Sequence, residues 1–140
     1  MRLVYYNAQG LPLAAVAAAI RTGRLPCEES FKATELLSLP LINLRRAFVY
    51  YGTDDTGTKV YAFWCNADPK LVHLFFQARG KLYRQEEGWH LRAVDGIPGS
   101  AGIALAWVLA RPGWSFGRLL FHRAVFKRYD YFLKIASKDL

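Results

Sequence analysis

The chain has 140 residues, of which 53% are hydrophobic and 21% charged, a composition that excludes a disordered tail and supplies a buried core. Nineteen Lys and Arg against 11 Asp and Glu leave a formal charge of +8, which favours acidic partners: nucleic acid, phosphorylated ligands or anionic membrane. The longest apolar runs, Ala14–Ile20 and Ala101–Ala110, fall short of the ~20 residues a membrane-spanning helix needs, and no secretory signal is evident, so a cytoplasmic location is expected.

Taken in chain order, Leu3–Tyr6 reads as a buried strand. Pro12 suits the first turn of a helix running through Ala14–Ile20 to Thr22, with Gly23 closing it. Ser30 is the N-cap expected for a second helix through Leu37, stopped by Pro40. Ala47–Tyr51 and "KVYAFWC" flank the turn "GTDDTGT", which predicts a hairpin whose Asp54 and Asp55 bond their own backbone. Asp68 and Pro69 begin a third helix, with Leu71, Leu74, Phe75 and Ala78 on its apolar face and an end near Gly80. Trp89–Val94 reads as a strand, Ala101–Ala110 as a helix, Leu119–Val125 as a last strand, and Phe126–Ala136 as a last helix with Phe126, Tyr129, Phe132, Leu133 and Ala136 inward. Strands alternating with helices predict a single α/β domain of three layers (α/β/α) with a mixed, mainly parallel sheet.

Two strand-to-helix turns are candidate ligand sites, because helix N-termini and glycine-rich backbone attract anions. The first, "NAQGLPLAA", has one glycine and no Lys, Ser or Thr, and Pro12 removes a donor; it matches neither a P-loop nor a dinucleotide fingerprint. The second, "AVDGIPGSAGIAL", has Gly96, Gly99 and Gly102, with Ser100 as donor or cap and Asp95 at the strand end. If their strands are parallel neighbours, Asn7, Gln9, Gly10, Asp95, Gly96, Gly99 and Ser100 open on one sheet edge, with Arg118 and Arg123 as counter-charge. These residues read equally as ordinary caps and turn formers.

The fragments "VAAAIRTGRLP", "LLSLP", "YGTDDTGTKVY" and "AVDGIP" fall in the order of the small bacterial proteins called domain of unknown function 3189, which this chain resembles along its length. The resemblance is most specific over Ala17–Pro26 and Gly52–Tyr61, and it implies an α/β fold and a bacterial, cytoplasmic setting, with no activity attached. It also implies a first turn carrying a cysteine, paired glycines and a His-Ser-Ser run. This chain departs there: Asn7 stands in the cysteine's place, Gly10 is kept, and Pro12, Leu13 and Ala14 replace the hydroxyl-bearing run.

His73, His90 and His122 lack ligand spacing, so no metal site is expected, and no cofactor is specified. Cys27 and Cys65 form no CxxC and read as free thiols without an activating context. Ser100, His122 and Asp95 make a Ser-His-Asp set on paper only, since no GxSxG elbow accompanies them, and the residues leave open whether the protein is an enzyme. Seven basic and two acidic residues fall between Arg111 and Leu140, so five of the eight net charges lie there. The first functional reading is therefore a binding domain for a small anionic ligand, a nucleotide or phosphorylated metabolite. The second is a nucleic-acid or membrane-surface module using Arg111, Lys127, Arg128 and Lys134. The third is a homo-oligomeric scaffold joined through Trp107, Trp114 and Phe116.

Overall fold

The computed structural model describes residues 1–25, 48–84, 88–97, 100–110 and 115–137, with the backbone alone at 100, 115, 116 and 118. The helix expected at Ser30–Leu37, and Cys27, Gly99, Arg111 and Trp114, lie outside the described residues, as do the side chains of Ser100, Phe116 and Arg118.

Four strands form the sheet: β1 (Arg2–Asn7), β2 (Phe48–Thr53), β3 (Lys59–Trp64) and β4 (Trp89–Ala93), in the order β2-β3-β1-β4. β1 runs parallel to both β3 and β4, and β2 pairs antiparallel with β3. The expected mixed, mainly parallel sheet is thus present. Two-residue alternation along β1 sends Leu3 and Tyr5 to one face and Val4 and Tyr6 to the other.

On the Leu3 face lie α1 (Leu13–Arg21) and, against it, the last helix, α5 (Tyr129–Ser137). Every α1 residue but Arg21 is buried, as a helix apolar on all sides requires, and its five alanines leave room for α5. The C-terminal carbonyls of α5 are satisfied from the sheet side. Arg21 (3.1 Å) and the Tyr5 hydroxyl (3.5 Å) donate to Ala136 O, and Arg92 donates to Ile135 O at 3.2 Å. Cations at a helix C-terminus are favoured by its dipole.

The Arg21 Nε also donates to Asp54 Oδ2 at 2.8 Å, tying α1 to the β2–β3 hairpin. Asp54 Oδ1 accepts the N–H groups of Thr56 and Thr58 and the Thr56 hydroxyl, closing the expected turn. Burial alone would raise the Asp54 carboxyl, but these hydrogen bonds outweigh it and hold the group below its ordinary range. A depressed carboxylate stabilises the fold above its unfolded pKa of about 3.9, and that contribution is lost as pH falls through the folded value. Asp54→Asn should therefore flatten the acid limb: in urea titrations between pH 5 and pH 2, the wild type should lose more stability than the variant.

α2 (Pro69–Leu82) covers the opposite face. Asp68 caps it as expected, accepting Lys70 N–H at 2.8 Å. The buried stripe, however, is Val72 and Phe76, and Leu71, Leu74, Phe75 and Ala78 are exposed, correcting the sequence expectation. The sheet explains this: Phe48, Tyr61, Phe63 and Trp89 fill that face, and Phe76 packs among Phe48, Phe63 and Trp89. Two adjacent apolar stripes on one helix are equivalent by periodicity, and only the surface beneath selects between them.

The other correction is at the C-terminal third. Leu119–Val125 is not a strand but the heart of α4 (Ser115–Phe126), which packs as a helical hairpin against α3 (Ser100–Ala110). A short apolar run does not distinguish buried strand from buried helix. Phe121 and Val125, four apart, enter the core with Ile103 and Trp107 of α3. The expected helix Phe126–Ala136 is broken at Lys127–Arg128, where a turn separates α4 from α5.

Candidate functional site

β1 and β4 are parallel neighbours, so the turns that follow them meet at one sheet edge. Asn7 is fully buried and is the hub of that meeting. Its Nδ2 donates to Val94 O at 2.9 Å and to Asp95 Oδ1 at 3.0 Å, and its Oδ1 accepts Gln9 N–H and Leu11 N–H, each at 3.0 Å. Asp95 Oδ1 also accepts Ala8 N–H at 3.3 Å, and Gly10 N–H donates to Cys65 O at 2.9 Å. Gly10 has φ +76°, a left-handed turn that a side chain would strain.

The consequence is chemical. The N–H groups of residues 8, 9, 10 and 11 are all bonded within the protein, and Pro12 has none. The Asn7 carbonyl and the Asp95 carboxylate take the positions an anion would take. The backbone of residues 8–11 therefore offers no free donor, and a carboxylate lies beside it.

Asp95 is spent on Asn7 and Ala8. Burial pushes its carboxyl up, opposed in part by the Ala8 N–H. Burial, with Asp95 adding to it, also raises the Cys65 thiol and the Tyr6 phenol. Cys65 was legible only as a free thiol; its place beside Asp95 arises from the end of β3 and keeps it protonated rather than nucleophilic. The Tyr6 hydroxyl lies 3.3 Å from His73 Nε2. A carboxyl with a raised folded pKa lowers stability as pH rises through that value. Asp95→Asn keeps an acceptor for Ala8 and should be at least as stable as the wild type at pH 7, with the difference vanishing on acidification; thermal melts at pH 4 and pH 7 check this.

The basic residues divide into two groups. Lys134 stands over the Tyr131 ring and lines a cavity of about 510 Å³ with Arg21, Asp54 and Asp130. Arg123, Lys127 and Arg128 instead line a groove of about 430 Å³ between α3 and α4, walled by Ile103, Leu105, Ala106, Leu109, Leu120 and Ala124. Leu120, Arg123, Ala124 and Lys127 recur every three to four residues, which places them on one face toward α3. Gly102, in the first turn of α3, lines the same groove, so the cations share it with a helix N-terminus. Among the described residues, no carboxylate pairs with Arg123, Lys127 or Arg128.

Trp107 is buried against Phe121, so its ring is turned into the core; among the described residues of this hairpin the large exposed apolar side chains are Leu105, Val108 and Leu119. Gly96 lies in the loop after β4 with Asp95. Among the described residues, no three His, Cys, Asp or Glu side chains gather to hold a metal, and no helix is long and apolar enough to cross a membrane.

Against known proteins, the model of a family described as Protein of unknown function (DUF3189) matches residues 2–138. No curated protein and no solved structure matches the chain.

Proposed function

The chain belongs to the DUF3189 family, whose function is unknown, and from the geometry of this member we propose a binding domain for a small anionic ligand seated in the α3–α4 groove. The observation that carries the reading is the convergence of Arg123, Lys127 and Arg128 on one apolar trough beside the first turn of α3. Phosphate or carboxylate would meet the cations and the helix end, and an apolar or aromatic body would lie on Ile103, Leu109 and Leu120. The backbone donors of residues 8–11 are occupied, so that segment is read as a structural turn rather than as the site. Nucleotides and phosphorylated metabolites remain within the class, ranked by how much apolar surface they bring.

A thermal-shift panel tests it: inorganic phosphate, nucleotides, sugar phosphates and octyl phosphate, each at low and high salt. A ligand at 100 times its Kd adds ~2.7 kcal/mol, which raises the melting temperature by several degrees. Octyl phosphate should exceed inorganic phosphate, and Arg123→Glu with Lys127→Glu should remove the shift. A panel that shifts nothing overturns the reading.

The exposure of Leu105, Val108 and Leu119 on the same hairpin favours a second reading, adsorption of this face to an anionic membrane surface. Vesicles containing anionic lipid distinguish it, since binding would then need a bilayer and not monomeric octyl phosphate. Short oligonucleotides form the third arm, with binding that falls steeply in salt if nucleic acid is the partner.

A further inference from the structure

A second groove lies on the other side of the molecule, and we infer that it takes an extended acidic peptide as an added strand along β4. The sheet ends at β4, and among the described residues nothing pairs with its outer edge. Val94 N–H donates to Tyr6 O at 2.7 Å, so by strand alternation Arg92 and His90 face β1, and Trp89, Leu91 and Ala93 turn their N–H and C=O groups outward. Among the described residues these backbone donors and acceptors, in a row, have no partner.

A groove of about 450 Å³ follows this edge, bounded by His73, Gln77, Gly80 and Lys81 of α2 and by Trp89 and Leu91 of β4. An edge strand facing a helix across a trough is the geometry in which main-chain pairing supplies affinity and alternate side chains drop into the trough for selectivity. The edge carries no proline, and its one cation, Arg92, is turned away to Ile135 O. The charge selects the partner. Among the described residues the groove lining contains Lys81 and two histidines and no carboxylate, and α2 ends with Arg79 and Lys81 in its last turn. An extended segment alternating apolar and acidic residues complements both the Trp89–Leu91 wall and the cationic rim.

The test uses the full chain and fluorescein-labelled hexapeptides of alternating Val and Glu, read by fluorescence anisotropy. Three controls accompany them: the same peptide N-methylated at alternate residues, an alternating Val and Lys peptide, and a protein variant, Gly80→Leu. Gly80 lies in the last turn of α2, and a Cβ there meets only Trp89 Cδ1, at 3.7 Å, so this variant occupies the groove without a backbone clash. The Val-Glu peptide should bind saturably, N-methylation should weaken it about tenfold or more through lost main-chain bonds, and Gly80→Leu should abolish binding with an unchanged or higher melting temperature. Lys81→Glu should reverse the preference toward Val-Lys. Equal binding of the N-methylated peptide overturns the added strand, as does no binding of either charge type up to ~1 mM. A dimer in sedimentation that Leu91→Pro separates also overturns it, because a second copy would then hold the edge.

Discussion

Asn7→Leu should destabilise the protein by about 3–5 kcal/mol, lowering the melting temperature by roughly 10 °C or more. The substitution keeps the branching at Cγ and the number of side-chain heavy atoms, and it removes every polar contact of a fully buried side chain. Gln9 and Leu11 N–H lose their acceptor, Val94 O loses a donor, and Asp95 keeps only the Ala8 N–H. Each buried group left unsatisfied costs about 1–3 kcal/mol. Asn7→Asp separates geometry from charge. The Oδ1 contacts with Gln9 and Leu11 survive, but a second oxygen now faces Val94 O and Asp95. Two carboxylates at that distance share a proton, so this variant should be unstable at pH 7 and recover on acidification. Urea unfolding at pH 7 and pH 5 checks both variants. A loss under ~1 kcal/mol for Asn7→Leu would mean that water or loop movement replaces the hub.

Gly117→Ala should cost about 2–4 kcal/mol and open the α3–α4 hairpin. A Cβ at Gly117 would lie 2.2 Å from Leu109 O, 2.4 Å from Leu109 C and 2.7 Å from Ala110 N. These are backbone atoms that cannot rotate away, so the helices must part and the groove with them. Gly102, in the same hairpin, has nothing within 4 Å of a Cβ, and Gly102→Ala should be neutral or stabilise by about 0.5–1 kcal/mol. Melting curves of the two variants, with near-ultraviolet dichroism reporting on Trp107, make the comparison. Equal behaviour of the two alanines would contradict the close approach.

What the sequence revealed followed physical period and local chemistry. The Asp54 turn, the Asp68 cap with Pro69, and the buried alanine helix were legible because each depends on residues within a few positions. The meeting of Asn7 with Asp95 was legible as a condition, that their strands be parallel neighbours, and the strand order meets it. Three features were not legible. α2 offers two apolar stripes, and the aromatic sheet surface decides for Val72 and Phe76. Leu119–Val125 is seven residues of mixed apolar character, and only its packing on α3, where Phe121 meets Trp107 and Gly117 fits against Leu109, selects the helix. The donors of Ala8 and Gly10 are taken by Asp95 and Cys65, tertiary partners that composition does not encode, whereas Asn7 takes those of Gln9 and Leu11 by the same local pattern as Asp54. The candidate anion residues therefore separate: Asn7, Gln9, Gly10 and Asp95 belong to the structural hub, and Arg123 joins Lys127 and Arg128 at the groove.

The most direct measurement is a titration of the isotope-labelled protein with octyl phosphate, followed by amide chemical shifts. Saturable shifts should be confined to the first two turns of α3 and to Arg123–Arg128, with Gln9, Gly10 and Leu11 unmoved. Shifts centred on Gln9–Leu11, or none in the α3–α4 groove at concentrations where inorganic phosphate is also silent, would contradict binding there.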